Sequence, residues 1–334
     1  MKKLFKTFAL IAFCSFVVSC SSDSSSSNTP GTIAEIASGN TNLSTLVTAL
    51  NRTGLTATLN GTGQYTVFAP TNDAFQTFFA SLGSTVTVDN VDVDVLKKVL
   101  LNHVIAAEIK STDVPASAYV STLSPINATP TSPTISMFVQ KVGSDVFING
   151  GTATTGVKVT LADVDASNGV IHLVNKVIAI PTIVDHVVAN PEFDTLQAVV
   201  TSGSGGAFGD QSAVLNALAG LTAAAPATLF APNNTAFTNA TTGTGFAVGA
   251  TPAQVSKVLQ YHVTTAGNFR SSQLEDNQVV PMFTSPVQEV TVILGTNTVD
   301  IEDTANNLSR VFQADIQASN GVIHGVNRVL QPAL

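Results

Sequence analysis

The sequence contains no tryptophan, only two cysteines and few charged residues. Charged residues make up 11% of its 334 residues, and the formal net charge is −8. A chain with this acidic balance lacks the basic surface that binding to nucleic acids requires. Three tyrosines without any tryptophan supply few of the rings that stack on sugars. The composition therefore excludes a nucleic-acid partner and ranks polysaccharide binding second among the binding roles.

The first residues have the pattern of an export signal. Three lysines among the first six residues precede an apolar run over residues 7–18, which is too short for a stable membrane span. The run ends at Cys20, in a context that resembles the lipobox of bacterial lipoproteins, whose cysteine is acylated. We expect residues 1–19 to be a lipoprotein signal peptide and Cys20 to be the lipid attachment site. The alternative is an ordinary cleaved signal with an unmodified Cys20.

The segment after this cysteine is rich in serine and cannot bury a core, so residues 20–31 are expected to form a tether. Loss of residues 1–19 leaves 11 basic and 22 acidic side chains. The second cysteine, Cys14, leaves with the signal. The mature chain therefore cannot form an intramolecular disulfide, and its stability must come from packing.

A repeated segment organises the rest of the chain. Residues 168–178 read NGVIHLVNKVI and return at residues 320–330 as NGVIHGVNRVL. Each copy opens with Asn-Gly, which tolerates positive φ, and continues with β-branched residues on both faces, as a strand covered from both sides requires. His172 and His324 lie among these apolar residues. We expect both rings to be buried and hydrogen-bonded, because an unpaired buried imidazole costs free energy.

Two copies of this segment predict two domains. About 300 residues follow the tether, enough for two cores at roughly 100–200 residues per domain. We place the first domain at residues 32–181 and the second at 182–334. The junction has almost no linker, so the domains are expected to touch. A fifth histidine, His186, follows the junction and is interpreted as a surface or junction residue.

Helical and strand patterns alternate within each half. The apolar spacing predicts one amphipathic helix over residues 32–56 that stops at Gly54. A second helix is predicted within residues 91–104, with Val95 on its apolar stripe. Residues 111–134 contain four prolines and predict an irregular surface connection. Several strands are predicted from there to the end of each half.

Three short blocks occur in both halves and in the same order. The first reads TVFAPTNDAF at 66–75 and TLFAPNNTAF at 228–237; the second is a histidine at the end of a helix; the third is the repeated segment. Together they resemble the three signatures of the fasciclin domain family. The resemblance covers residues 32–334. It implies an α+β fold of two tandem fasciclin-like domains, each a wedge of mainly antiparallel β-strands with several packed helices.

The residues that match these signatures are expected to be mostly structural, and they are Phe68, Pro70, Asn72, Phe75, His103, Asn168, Gly169, His172, Phe230, Pro232, Phe237, Asn320, Gly321 and His324.

The resemblance also implies adhesion at cell surfaces or in extracellular matrix, without enzymatic activity. Family members in animals are thought to contact integrins through the segment around a Tyr-His pair. The second half keeps this pair as Tyr261-His262, whereas the first half has Asn102 in place of the tyrosine. Tyr261 and His262 are therefore the possible partner-binding residues of this chain.

The sequence thus predicts a non-enzymatic protein of the bacterial cell envelope, lipid-anchored at the outer membrane or cell surface. Its partner is expected to be a protein or polysaccharide of a surface or matrix. Its acyl chains are expected to provide the membrane contact. The alternative is an accessory glycan- or protein-binding subunit of an envelope complex, and a hydrolase is a distant third.

No catalytic residue, cofactor or metal site is predicted. The paired histidines fit a scaffold, because no further ligand accompanies them at metal-binding spacing. Asp89, Asp92 and Asp94 lack the glycine and distal glutamate of an EF-hand loop and are interpreted as carboxylates at a helix N-terminus. Acidic residues at strand ends, such as Asp303, are expected to be solvated. A weak divalent-cation site at one of these acidic clusters is the alternative. No Gly-x-Ser-x-Gly motif or phosphate-binding loop occurs.

Overall fold

The computed structural model describes residues 30–333, apart from 130, 152–155, 205, 207 and 243–249. The predicted signal peptide, Cys20 and most of the predicted tether lie outside the described residues. Within the described part of the chain, no helix is both long enough and apolar enough to cross a membrane.

The α-helices of the first half are α1 (Ile33–Ser38), α2 (Ser44–Thr53), α3 (Thr56–Leu59), α4 (Asn72–Leu82) and α5 (Val93–Leu101). Those of the second half are α6 (Ile183–Ala189), α7 (Asp194–Val200), α8 (Ser212–Ala219), α9 (Asn234–Thr242) and α10 (Pro252–Gln260). Short 3₁₀ helices lie at Thr41–Leu43, Pro191–Phe193 and Ser271–Gln273.

The strands of the first half are β1 (Tyr65–Pro70), β2 (Val104–Ile105), β3 (Ser117–Pro125), β4 (Thr134–Val142), β5 (Asp145–Ile148), β6 (Val157–Ala166) and β7 (Gly169–Val174). Those of the second half are β8 (Ala227–Pro232), β9 (Val263–Thr264), β10 (Val279–Pro281), β11 (Glu289–Leu294), β12 (Val299–Glu302), β13 (Leu308–Ala318) and β14 (Gly321–Val326).

Each half builds one seven-stranded sheet with the same topology. The first has the order β2-β1-β7-β6-β5-β4-β3, and the second has β9-β8-β14-β13-β12-β11-β10. The pairs β1–β7 and β8–β14 are parallel, and all other neighbours are antiparallel. The repeated segment therefore supplies an inner strand in both domains, as predicted. The α+β architecture of two tandem domains is confirmed.

Each sheet separates two apolar clusters, because alternate residues of a strand point to opposite faces. In β1, Val67 and Ala69 pack with the helices, whereas Phe68 packs with residues of the outer strands. In β8, Leu229 and Phe230 divide in the same way between a helical cluster and a strand cluster. Burial on both faces of the central strands explains why their sequences are apolar without alternation.

Three predictions about local structure were wrong. Residues 32–56 form two helices with a 3₁₀ turn between them, because Asn40 accepts a hydrogen bond from the Asn42 N–H and starts a new turn. Gly54 ends α2 in the left-handed conformation, as predicted, with φ of 72°. Val95 is 48% exposed although it belongs to α5.

The third error concerns residues 111–134, which contain the nine-residue strand β3 instead of an irregular connection. β3 is an edge strand of the sheet. Edge strands tolerate proline because one side of their backbone has no partner strand. Pro115 lies before β3, and Pro125 is its last residue, where it pairs with Thr134 of β4 after a shift in register. The prolines therefore lie at the two ends of the strand and do not prevent its formation.

The strands before the repeated segment, β6 and β13, contain bulges. β6 shifts its register between Val159 and Val164, and β13 shifts between Val311 and Ile316. Each bulge carries an aspartate in the left-handed region, at φ of 59° for both Asp163 and Asp315. A bulge bends the strand and lets it continue along its neighbour.

The two domains are in direct contact, as the absence of a linker predicted. The N–H of Gln317 in β13 donates to the Ser136 Oγ in β4 over 2.9 Å, and this bond is buried. Tyr119 of β3 packs against the core of the second domain. Its ring centroid lies 5.4 Å from that of His186, which is fully buried and therefore a junction residue and not a surface residue.

Candidate functional site

The signature histidines at the helix ends join two backbone groups each. The N–H of Ile178 donates to the Nε2 of His103 over 2.8 Å, so Nδ1 carries the proton and donates to the Val99 carbonyl over 2.7 Å. In the second domain, His262 accepts from the Leu330 N–H over 2.9 Å and donates to the Val258 carbonyl over 2.7 Å. Each ring thus ties a helix to the end of its own domain.

The histidines of the repeated strands use the opposite tautomer. The Nδ1 of His172 accepts from the Asp163 N–H over 3.1 Å, and its Nε2–H donates to the Ile109 carbonyl over 2.9 Å. His324 has equivalent bonds, from the Asp315 N–H over 3.4 Å and to the Phe269 carbonyl over 2.8 Å. The prediction that both rings are buried and hydrogen-bonded is confirmed.

These rings are held neutral. Burial lowers the pKa of His103 and of His262 to about 4, although the bonds to Val99 and Val258 oppose the shift. Burial also lowers the pKa of His172 and of His324. A proton added to any of the four would face a backbone N–H instead of an acceptor. A general base that works near neutral pH needs a free lone pair, which none of these rings offers.

The Asn-Gly pairs close each domain. The Asn168 Oδ1 accepts from the Ile33 N–H over 2.9 Å, and the Asn320 Oδ1 accepts from the Ile183 N–H over 2.8 Å. Each asparagine therefore fixes the first helix of its domain to the last strand. Gly169 has φ of 138°, and a Cβ atom there would lie 1.9 Å from the Tyr65 carbonyl oxygen. Only glycine allows the parallel partner strand to approach this closely.

The proline-containing block has a structural role in both halves. Pro70 and Pro232 end the strands β1 and β8. The Asn72 Oδ1 accepts from the Thr45 N–H over 3.0 Å, which holds α2 against the start of α4.

The aromatic residues of this block are buried. Phe75 and Phe237 face the core and are 0% and 4% exposed, which agrees with the structural role expected of them. The rings of Phe68 and Phe230 lie 5.5 and 5.8 Å from those of His172 and His324, respectively.

The Tyr-His pair lies inside the second domain. Tyr261 is fully buried and His262 is 2% exposed. The Tyr261 hydroxyl donates to the Glu289 carbonyl over 2.6 Å and accepts from the Thr304 N–H over 3.2 Å. In the first domain, Asn102 Nδ2 instead donates to the carbonyls at 178 and 179, over 3.3 and 3.2 Å.

Any contact that a partner makes with the Tyr-His segment must therefore involve its neighbours. A cavity of about 250 Å³ opens beside the pair and is lined by Gln260, Val263 and Phe283, among other residues. The Phe283 side chain is 43% exposed. This cavity and its rim are the accessible part of the segment.

The acidic residues serve local structure. The Asp92 Oδ1 accepts from the N–H groups of Asp94 and Val95 over 3.0 and 2.9 Å and so caps α5, as predicted. Asp303 is not solvated as expected: it is 4% exposed, and its carboxylate accepts from the N–H groups of residues 305, 307 and 331. Within the described ranges, no three His, Cys, Asp or Glu side chains converge as metal ligands.

A second cavity lies in the first domain, between the loop after β2 and the strand face that carries Phe68 and His172. Its volume is about 210 Å³, and its walls are mostly aliphatic. No sequence motif includes the exposed residues at its mouth, among them Glu108 and Asp113. Their positions relative to the cavity depend on a loop without a motif, so no sequence signal could have found them.

Comparison with known proteins agrees with this architecture. The model of the Fasciclin domain family matches residues 41–181 and 207–332. The chain therefore belongs to the fasciclin domain family.

Several relatives are similar over part or most of the chain. Protein sll1483 of Synechocystis is 38% identical over 150 residues, which cover 45% of this chain and 74% of that protein. Transforming growth factor-beta-induced protein ig-h3 of Oryctolagus cuniculus is 25% identical over 280 residues, or 82% of this chain and 35% of the relative. The chain thus spans only about a third of that relative's length.

A solved structure has the same fold. The FAS1 domain pair of the insect cell adhesion molecule Fasciclin I superposes with a TM-score of 0.51 and 17% sequence identity. The match covers 86% of this chain and 95% of the other.

Proposed function

We propose that this protein is a lipid-anchored binding protein of the bacterial cell envelope, which uses its two fasciclin domains without catalysis to hold a protein or polysaccharide of a surface or matrix. One observation supports the proposal most strongly. In all four signature histidines, both ring nitrogens form hydrogen bonds with backbone groups. Polar residues used in this way build a rigid scaffold and leave the outer surface for binding.

The buried contact between the domains also supports this role. Because Ser136 and Gln317 join the two sheets, both domains can present their surfaces in a fixed relation to one partner. Two weak contacts in a fixed relation bind more tightly than either contact alone. The similarity to an insect cell adhesion molecule favours the same class of function.

Attachment to the membrane is the part of the proposal that comes from the sequence alone. We expect Cys20→Ala to move the protein from the membrane to the soluble fraction and to abolish attachment of cells to matrix prepared from the same bacterium. Cys14→Ala is the matched control, since that cysteine belongs to the signal and its variant should stay anchored. Membrane retention of Cys20→Ala, or unchanged attachment of its cells, would contradict the proposal.

Binding itself is tested with purified protein that lacks the lipid. It should bind isolated matrix saturably, and digestion of the matrix with protease or with polysaccharide-degrading enzymes should show which class of partner is held. If the rim beside Tyr261-His262 makes the contact, Phe283→Ser should weaken binding. Phe312→Ser is the control, because Phe312 is similarly exposed, at 45% against 43%. Equal binding by both variants would show that the contact lies elsewhere on the protein.

A further inference from the structure

The cavity of the first domain has the size and walls of a small-molecule site. Its volume of about 210 Å³ exceeds the roughly 150 Å³ of an engineered apolar cavity that stays dry and binds benzene. The walls come from all seven strands of the sheet and from the loop after β2, with Phe68, Ile105, Val139, Val146 and Val159 among the lining residues. Such walls favour an apolar body of about one ring with a few further carbons.

The polar groups within the cavity are already occupied. His172 donates to the Ile109 carbonyl and accepts from the Asp163 N–H. The Ser111 hydroxyl donates to the Asp163 carboxylate, which also accepts from the Ser111 N–H over 2.8 Å. A ligand that enters the cavity therefore meets apolar walls without free hydrogen-bonding groups at the base.

The mouth of the cavity carries two carboxylates. Glu108 and Asp113 both line the cavity and are exposed. Two ammonium groups lie nearby: the Lys110 Nζ lies 2.9 Å from the Asp165 Oδ1, and the Lys141 Nζ donates to the neutral Ser111 carbonyl over 3.4 Å and keeps its charge. The carboxylates of Glu108, Asp113, Asp163 and Asp165 outnumber these two cations, so the net charge around the mouth is negative.

The second domain carries a larger side chain at the position that corresponds to Ile109. The N–H groups of Ile109 and Phe269 donate to the equivalent hydroxyls of Thr66 and Thr228, over 2.8 and 2.9 Å. These bonds make residues 109 and 269 structural equivalents. The second domain thus has a phenylalanine ring, packed against its strand core, where the first domain has isoleucine.

The carboxylates are absent from that second mouth. The same register pairs residues 108 and 113 with Asn268 and Gln273, because the N–H of residue 113 donates to carbonyl 110 just as that of Gln273 donates to carbonyl 270. Both equivalents are neutral. Within this one chain, the smaller isoleucine occurs with two carboxylates, and the larger phenylalanine occurs with two neutral side chains.

We propose that the cavity of the first domain binds small amphiphilic organic cations, with the apolar body inside and the ammonium group at Glu108 and Asp113. This site is separate from the adhesive surface of the proposed function and does not depend on it. Burial of the body supplies the affinity, and the exposed carboxylates select the sign of charge, since exposed ion pairs contribute modestly.

The proposal is tested by NMR titration of the whole protein without its lipid, using three probes that share a phenylethyl group. 2-Phenylethylammonium should bind most tightly, and 3-phenylpropionate should bind most weakly. 2-Phenylethanol should bind about two- to fivefold more weakly than the cation, because an exposed ion pair contributes only about 1 kcal/mol or less. Methyl signals of Val139, Val146 and Val159 should shift saturably. Methylammonium lacks the apolar body and should produce no saturable shift.

Two variants of the first domain carry the side chains that the second domain has at the equivalent positions. Ile109→Phe should fill the cavity and weaken binding of all three aromatic probes at least tenfold. Glu108→Asn together with Asp113→Gln should leave binding of 2-phenylethanol unchanged but remove the preference for the cation. Melting temperature and amide spectra of each variant report whether it folds, and the loop register of the second domain shows that this backbone accepts the introduced side chains.

Several results would overturn the proposal. These are the absence of saturable shifts with every aromatic probe, tightest binding of 3-phenylpropionate, and unchanged binding by folded Ile109→Phe. Matrix binding by Ile109→Phe is measured in parallel. Retained matrix binding with lost probe binding supports two independent sites, whereas failure of matrix binding in the wild type would contradict only the adhesive role.

Discussion

The two domains share a backbone plan but differ in what fills it. Both fix their first helix with an asparagine, bridge backbone groups with two histidines and place a bulge aspartate at φ of 59°. They differ at Ile109 and Phe269, and at Asn102 and Tyr261. The shared histidines and asparagines therefore keep the same backbone bonds in the two halves. Asn102 and Tyr261 also bond to backbone groups but differ in residue type, and Ile109 and Phe269 differ in size. This contrast separates what the fold requires from what each domain can vary.

The glycine before each repeated strand should be the most sensitive of the shared positions. Gly169→Ala and Gly321→Ala place a Cβ atom 1.9 and 2.1 Å from a backbone oxygen, so each should lower the free energy of unfolding by at least about 4 kcal/mol. Denaturant unfolding measures the loss. The control is Gly143→Ala, where φ is 63° but no atom lies within 4 Å. Its cost should stay near 1 kcal/mol. Equal losses at all three positions would refute the close approach as the cause.

The histidines of the repeated strands come next. His172→Ala and His324→Ala each leave a backbone N–H and a carbonyl without their partner, and each should cost about 2–4 kcal/mol. Thermal or chemical unfolding of both variants measures the effect. The two losses should agree, because the bonds are equivalent in the two domains. A loss confined to one domain would contradict the equivalence of the two histidines. Normal melting of both variants would contradict their stabilising role.

Exchange of the space-filling residues Ile109 and Phe269 should have smaller and unequal effects on stability in the two domains. Phe269→Ile opens space in the second domain and should cost about 1–2 kcal/mol. Ile109→Phe enters an existing cavity and should change stability by less than about 1 kcal/mol. Unfolding measurements on the single variants and on the double variant test this. A large loss for Ile109→Phe would show that the cavity walls cannot accept a ring.

The histidine at the junction should behave unlike the four signature histidines. Neither nitrogen of His186 has a hydrogen-bond partner among the described residues, and burial lowers its pKa to about 4. The backbone of Gln317 lies close enough to oppose this shift without reaching hydrogen-bonding geometry. His186→Phe keeps a ring against Tyr119 and removes two unsatisfied nitrogens, so stability should rise by up to about 1 kcal/mol. A loss comparable to that of His172→Ala would show that His186 is bonded after all.

The sequence allowed the fold and the backbone-binding residues to be predicted, because those residues recur in both halves. It could not reveal features that depend on non-local contacts. The burial of His186 depends on Tyr119 in the other domain, and that of Asp303 depends on N–H groups brought together by a turn and the last residues. The cavity depends on the register of two loops, which is visible only through the bonds to Thr66 and Thr228.

Proton binding by His103 and His262 makes the free energy of unfolding depend on pH. For His103 and His262, the pKa falls from 6.5 to about 4 on folding, so the unfolded chain takes up protons first as the pH is lowered. Their contribution to stability is fully present above pH 6.5 and is lost progressively as the pH falls toward 4. The shift corresponds to a loss on the order of 3 kcal/mol per ring.

The most direct measurement of the scaffold role is a long-range ¹H–¹⁵N NMR titration of the imidazole nitrogens. It should find a proton on Nδ1 of His103 and His262 and on Nε2 of His172 and His324. All four rings should remain neutral as the pH falls through 6.5. Rings that exchange between tautomers, or that gain a proton near pH 6.5, would contradict the account, because such imidazoles would be free to bind a ligand or transfer a proton.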